Sequence, residues 1–117
     1  MKSYTDIEQS KKLAEILPLE SADMCWIDRP QIVTDCPEVP VIPDIELKAM
    51  LPQNKLLPCW SLAALLNVLP NGIVMNKDSQ NGRYHFSSKY IGTYVTADNP
   101  IDACYEMILK LHEQNIL

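Results

Sequence analysis

Apolar residues recur with helical spacing in some stretches of the chain and with strict alternation in others, and each pattern predicts an element. Between Asp6 and Leu17, the residues Ile7, Ser10, Leu13, Ala14 and Leu17 share one helical face, and Glu8 and Lys12 form an i,i+4 pair on the other. Thr5 is placed to cap this helix, Glu8 completes a capping-box pattern, and Pro18 closes it. A second helix is predicted within the charge-free block LLPCWSLAALLNVLPNGIVMN (56–76), bracketed by Lys55 and Lys77. It runs from Cys59 to Leu69, with Pro58 in the first-turn position where its missing N–H is tolerated. Cys59, Leu62, Ala63, Leu65, Leu66 and Leu69 cover most of its wheel, so it is expected to be the most enclosed element. Its length of roughly 17 Å is about half the hydrocarbon thickness of a bilayer. The block is therefore expected to be a core helix and not a membrane span.

Alternation takes over after Pro70. GIVMN (72–76) follows an Asn71-Gly72 turn signal, and RYHFS (83–87) sets Tyr84 and Phe86 on one face and His85 on the other, exposed one. KYIGTYVT (89–96) alternates Tyr90, Gly92 and Tyr94 against Ile91, Thr93 and Val95. These strands predict a hairpin or meander. A third helix follows, with Asn99 as N-cap, Pro100 at N1 and Asp102 near the positive end of the dipole. Ile101, Cys104, Tyr105, Ile108, Leu111 and His112 fall on one side, and Asp102, Glu106, Lys110 and Glu113 on the other, out to Gln114.

Residues 18–54 are different in kind. They hold six of the nine Pro, and seven acids against Arg29 and Lys48, which is the whole excess behind the net charge of −5. Short strands are plausible at 24–27 and 31–34, and a short helix at 44–51. Pro at this density suits a segment wrapping the edge of a sheet. With 47% apolar and 21% charged residues over 117 positions, the chain reads as one α+β domain, 1–117. The predicted architecture is an antiparallel sheet of about four or five short strands packed with three helices, an αβ sandwich.

Charge and chemistry narrow the function classes. The acidity works against phosphate-backbone binding and anionic membrane surfaces, so neither nucleic acid nor membrane is expected as a partner. The polar start MKSYTDIEQS and the modest Cys content point to reduced thiols in a cytoplasmic setting. Cys25, Cys36, Cys59 and Cys104 lack C-x-x-C or His-paired spacing, so no metal and no cofactor is expected. Cys59, placed at a helix start where the dipole can lower a thiol pKa, is the candidate nucleophile, with His85 or His112 as its base. The competing expectation is a buried structural thiol at Cys59, a core-edge His112 and a solvent-facing His85. Tyr84, Tyr90 and Tyr94 present either a stacking platform or an aromatic face packed on helices.

YTDIEQSKKLAEI, LPCWSLAALL and ADNPIDACYEMILKL together resemble small uncharacterised proteins carried on phages and mobile elements of gut bacteria. The closing strand, Asn-Pro and helix are similar to the end of the phage α-β-α sandwich domain family. The resemblance implies a layered α/β arrangement and a phage or mobile-element origin, with no catalytic residues to carry over. The expected function is a non-enzymatic accessory or protein-interaction domain that self-associates or binds a host protein. The alternative is a small thiol or hydrolytic enzyme using Cys59 with His85 or His112. Self-association is expected because so apolar a second helix is hard for one short chain to cover.

Overall fold

The computed structural model describes residues 2–27, 56–89, 92 and 94–117. The expected strand at 31–34, the helix at 44–51, the wrapping course of most of 18–54, Cys36 and Tyr90 lie outside the described residues. The chain is an α+β fold, with three α-helices and two small antiparallel sheets among the described residues.

Helix α1 (Ile7–Ile16) begins one residue later than Thr5 would place it. Asp6 is the N-cap: its carboxylate accepts from the Gln9 N–H, and the Gln9 side chain returns a bond from the Asp6 N–H. Thr5 is instead fully buried, its hydroxyl turned inward. After a 3₁₀ turn, Leu19–Ser21, strand β1 (Met24–Ile27) pairs with β2 (Leu56–Cys59), Cys25 opposite Pro58.

β2 corrects the expected second helix. Pro58 and Cys59 are strand residues, and helix α2 is shorter, Leu62–Val68. Two start signals compete in this block, Pro at N1 and Ser at the cap, and the cap wins. Ser61 Oγ accepts from the Ala64 N–H at 3.2 Å, while the Asp23 carboxylate accepts from both the Ser61 N–H and its hydroxyl. Nor is α2 enclosed: Ala64 and Leu65 are buried, whereas Ala63, Leu66 and Asn67 are exposed. The most enclosed helix is α3 (Pro100–Glu113), which buries Ile101, Ala103, Cys104, Met107, Ile108 and Leu111. Asn99 caps it, its side chain accepting from the Asp102 N–H at 2.9 Å.

The second sheet is the expected meander, in the order β3 (Ile73–Lys77), β4 (Tyr84–Ser88), β5 (Tyr94–Ala97). The β3–β4 turn is closed by Asp78, whose carboxylate accepts from the Gln80 N–H at 2.7 Å, and by Gly82 at φ 71, a conformation that favours glycine. The five strands among the described residues thus form two sheets, where one was expected. The cause is β2, hidden in the charge-free block, which pairs with β1 and leaves the meander to itself. One core joins everything: Leu13, Trp60, Leu65, Phe86, Val95 and the buried face of α3.

A candidate binding edge along the third strand of the meander

An open cleft of ≈ 720 Å³ lies between β5, the polar side of α3 and the start of α1. Tyr94, Val95, Thr96, Ala97 and Asp98 all line it. Side chains alternate along a strand, so the four consecutive residues of β5 can all face one cleft only if the main-chain edge of the strand faces it; Asp98 follows them in the bend that leads to α3.

The hydrogen-bond ladder shows which groups that edge presents. The Lys89 N–H donates to Gly72 O, and the Asp78 N–H to Arg83 O, so odd-numbered residues along β4 bond toward β3. Even-numbered β4 residues therefore bond toward β5, Tyr84 with Ala97 and Phe86 with Val95. Tyr94 and Thr96 are left pointing their N–H and C=O groups away from β4. Lys110 Nζ donating to Tyr94 O at 3.1 Å from the cleft side agrees with that parity. Among the described residues, β5 is an edge strand with its main-chain donors and acceptors turned to an open hollow.

One end of the cleft is a polar network joining two helix starts. Asp102 accepts from Lys2 Nζ at 2.9 Å, from Gln9 Nε2 at 2.8 Å and from Asn99 Nδ2 at 2.7 Å, and Lys2 also reaches Asp6 at 2.9 Å. Burial pushes the Asp102 carboxyl up, but these three donors together hold it below its ordinary value. Asp6 is lowered in the same way: the Gln9 N–H and Lys2 outweigh its burial. For Lys2, burial is again opposed, here by the two carboxylates, and its pKa is raised.

The outer face of the meander carries His85, which is half-buried and not solvent-facing as expected. Its Nδ1 lies 3.0 Å from Thr96 Oγ1 and 2.5 Å from Tyr94 Oη, and its Nε2 lies 3.5 Å from Asp78. The Tyr94 ring stacks on it at 5.6 Å between centroids. His85 and Thr96 face each other as a non-hydrogen-bonded pair, the kind with the closest side chains, which explains the contact. Tyr84 and Tyr94 fall on opposite faces of the sheet, because Tyr84 shares its side with Phe86 and Tyr94 shares its side with His85. The two therefore make no common stacking platform.

Cys59 sits elsewhere, fully buried at the end of β2 and two residues before the Ser61 cap of α2, not in the first turn of a helix as expected. Its neighbours are the Thr5 hydroxyl at 3.6 Å and Thr5 O at 3.4 Å, and Thr5 in turn is bonded to Ser10 at 2.8 Å. Burial raises the Cys59 pKa above the ordinary thiol value, the hydroxyl neighbours offsetting only part of it. Neither His is its hydrogen-bond partner: His85 is engaged as above, and His112 Nδ1 bonds Leu117 O at 2.9 Å. His112 is exposed, not at the edge of the core, while its neighbour Leu111 takes the buried side of the last turn of α3. Cys104 is also sealed, its pKa pushed up to about 12 by burial. Native-state labelling with a maleimide at neutral pH is accordingly expected to leave Cys59 and Cys104 unmodified until denaturant is added. Stoichiometric labelling of Cys59 within minutes contradicts this placement.

Among the described residues no group of three or more His, Cys, Asp or Glu is arranged to hold a metal, and no helix is long and apolar enough to cross a membrane. The sequence reading missed Lys2, Gln9, Thr96 and Asp102 as site residues. Asp102 was visible only as a helix-start acid, and nothing local marks Thr96. Comparison with protein families, with curated proteins and with solved structures finds no match to this chain.

Proposed function

We propose that this chain is a non-enzymatic protein-interaction domain and that it works by adding an extended segment of its partner to the open edge of β5. The observation that supports this is the run Tyr94–Asp98 lining the cleft, with Tyr94 and Thr96 directing main-chain groups into it. Main-chain bonds to an exposed edge supply affinity without a preformed deep pocket, and flanking side chains supply selectivity. Here the flanking groups are Arg83, Glu106 and Lys110, charged side chains suited to a polar peptide. The sealed thiol at Cys59 weighs against the hydrolytic alternative, since a nucleophile must meet its substrate. A cytoplasmic, phage-borne or mobile-element accessory role belongs to the same proposal and rests on the resemblance of the segments quoted above.

The reading is tested at Thr96. Thr96→Pro removes an outward N–H and leaves the ladder to β4 intact, the placement in which an edge strand tolerates proline. Thr96→Val removes the hydroxyl alone and keeps the N–H. Immobilised wild-type and T96V protein are expected to capture the same host-lysate proteins, and T96P at least tenfold less, by quantitative mass spectrometry. Equal capture by T96P overturns the edge as the binding surface.

A further inference from the structure

Resting on that reading of the β5 edge, we propose that a strand it accepts is β5 of a second copy of this chain, paired antiparallel about Thr96. The edge is electrically polar along its length. Lys110 stands at its Tyr94 end, bonded to Tyr94 O, and Asp98 stands at the other end with its side chain 87% exposed. An antiparallel pair centred on Thr96 sets Tyr94 of each copy opposite Asp98 of the other. The outward parity of Tyr94 and Thr96 makes these hydrogen-bonded pairs, in which facing residues exchange both N–H···O bonds. The Asp98 N–H of one copy then takes over Tyr94 O of its partner from Lys110. The released ammonium is left beside the incoming Asp98 carboxylate, which Arg83 of its own chain already flanks at 3.7 Å. The two-fold axis repeats the contact, so the surface is complementary to itself, as an isologous interface requires. Parallel self-pairing would instead bring Lys110 against Lys110 and Asp98 against Asp98. The pairing joins two three-stranded meanders into one continuous sheet and covers an edge that otherwise invites uncontrolled association.

The test uses sedimentation velocity at micromolar concentration and a charge exchange. Wild type is expected to sediment as a dimer and T96P as a monomer. Lys110→Glu and Asp98→Lys should each weaken dimerisation at least tenfold. A mixture of K110E and D98K should recover it, because one contact across the axis is then restored with its signs exchanged and the other keeps the wild-type Asp98 and Lys110. A variant that merely misfolds does not rescue its partner. Register is read separately by Thr96→Cys in a Cys36→Ser background. Facing residues of a hydrogen-bonded pair lie about 5.5 Å apart at Cα, within the usual disulfide range. T96C should therefore oxidise to a covalent dimer, and Ser87→Cys, on the same face of the central strand, should not. A monomeric wild type, a dimer indifferent to T96P, or a mixture without rescue overturns the self-pairing. If wild type is monomeric while T96P still loses its captured partners, self-pairing falls and the edge reading stands; unchanged capture by T96P removes the edge reading itself.

Discussion

Replacing Trp60 by alanine is expected to destabilise the domain by about 3–5 kcal/mol, the range for truncating a fully buried aromatic residue. Trp60 has no exposed surface and lies in the core with Leu13, Leu65, Met107 and Ile108. It is also where three parts of the chain are fastened together. Its indole N–H donates to Ser21 Oγ at 2.9 Å, its main-chain N–H to Thr5 Oγ1 at 3.1 Å, and its carbonyl accepts from the Thr5 N–H at 2.9 Å. The main-chain bonds survive truncation; the Ser21 bond and the packing do not. Against a total stability of about 5–15 kcal/mol for an ordinary domain, a loss of this size leaves a large unfolded fraction. Urea unfolding monitored by far-UV circular dichroism checks it, since a lower midpoint at unchanged slope reports stability alone. Trp26 supplies the internal comparison: it is half-buried, edge-on to Tyr4 at 5.8 Å, with its N–H 3.3 Å from Ser10 Oγ. Trp26→Ala should shift the midpoint less than half as far, and a shift equal to that of W60A contradicts the assignment of Trp60 to the core.

The same residue shows how the sequence could be both informative and misleading. The absence of charge in 56–76 marked an inner segment, and this holds only in part: Cys59, Trp60 and Leu65 are without exposed surface, whereas Leu66, Val74 and Met75 are exposed. Composition alone does not say whether such a segment is helix or strand, and here it is strand first and helix after. Proline at 58 satisfies a helix first turn and an edge strand equally well, so only Ser61 and its distant partner Asp23 decide the boundary. The start of α3 was legible for the opposite reason: Asn99, Pro100 and Asp102 are consecutive signals acting within one turn. The alternation of Tyr84, His85 and Phe86 likewise gave the correct faces, because side-chain parity is local.

The candidate binding edge was not legible, and the reason is geometric. Whether the Thr96 N–H turns toward β4 or away from it depends on the pairing parity of the whole meander, which is set as far off as Gly72 and Lys89. The cleft beside it depends on Lys2, Gln9 and Asp102, brought together across most of the chain. No window of sequence contains that juxtaposition. The expectation of self-association was tied to α2, whose exposed Leu66 is too little to support it. The charge pattern of Asp98 and Lys110 at the two ends of the β5 edge now gives it a different physical basis.

Acidification tests the network that frames this edge. Asp102 and Asp6 both have pKa values below the ordinary carboxylate value in the folded chain. A carboxyl lowered on folding stabilises the fold above its unfolded pKa, and that contribution is lost as the pH falls through the folded value. The domain is therefore expected to lose stability on acidification below about pH 4, with Asp102 a principal contributor. Asp102→Asn keeps an acceptor for Gln9 but removes the charge that Lys2, Asn99 and the start of α3 all favour. Bonds to a charged group contribute about 1.5–3 kcal/mol each when well buried. The Asp102 side chain is 38% exposed, so solvent screening reduces the whole set to about 1–2 kcal/mol at neutral pH. Unfolding free energies from urea titration of wild type and D102N should differ by that amount at pH 7 and converge as the pH falls through the lowered Asp102 value, below which both side chains are uncharged. Parallel pH profiles for the two proteins contradict the assignment. Because Asp102 ties α1 to α3 next to Asp98, D102N should also loosen the end of the cleft where a second strand must enter. Its dimerisation should therefore already be weaker than that of wild type at pH 7, and the difference should close as wild type is acidified.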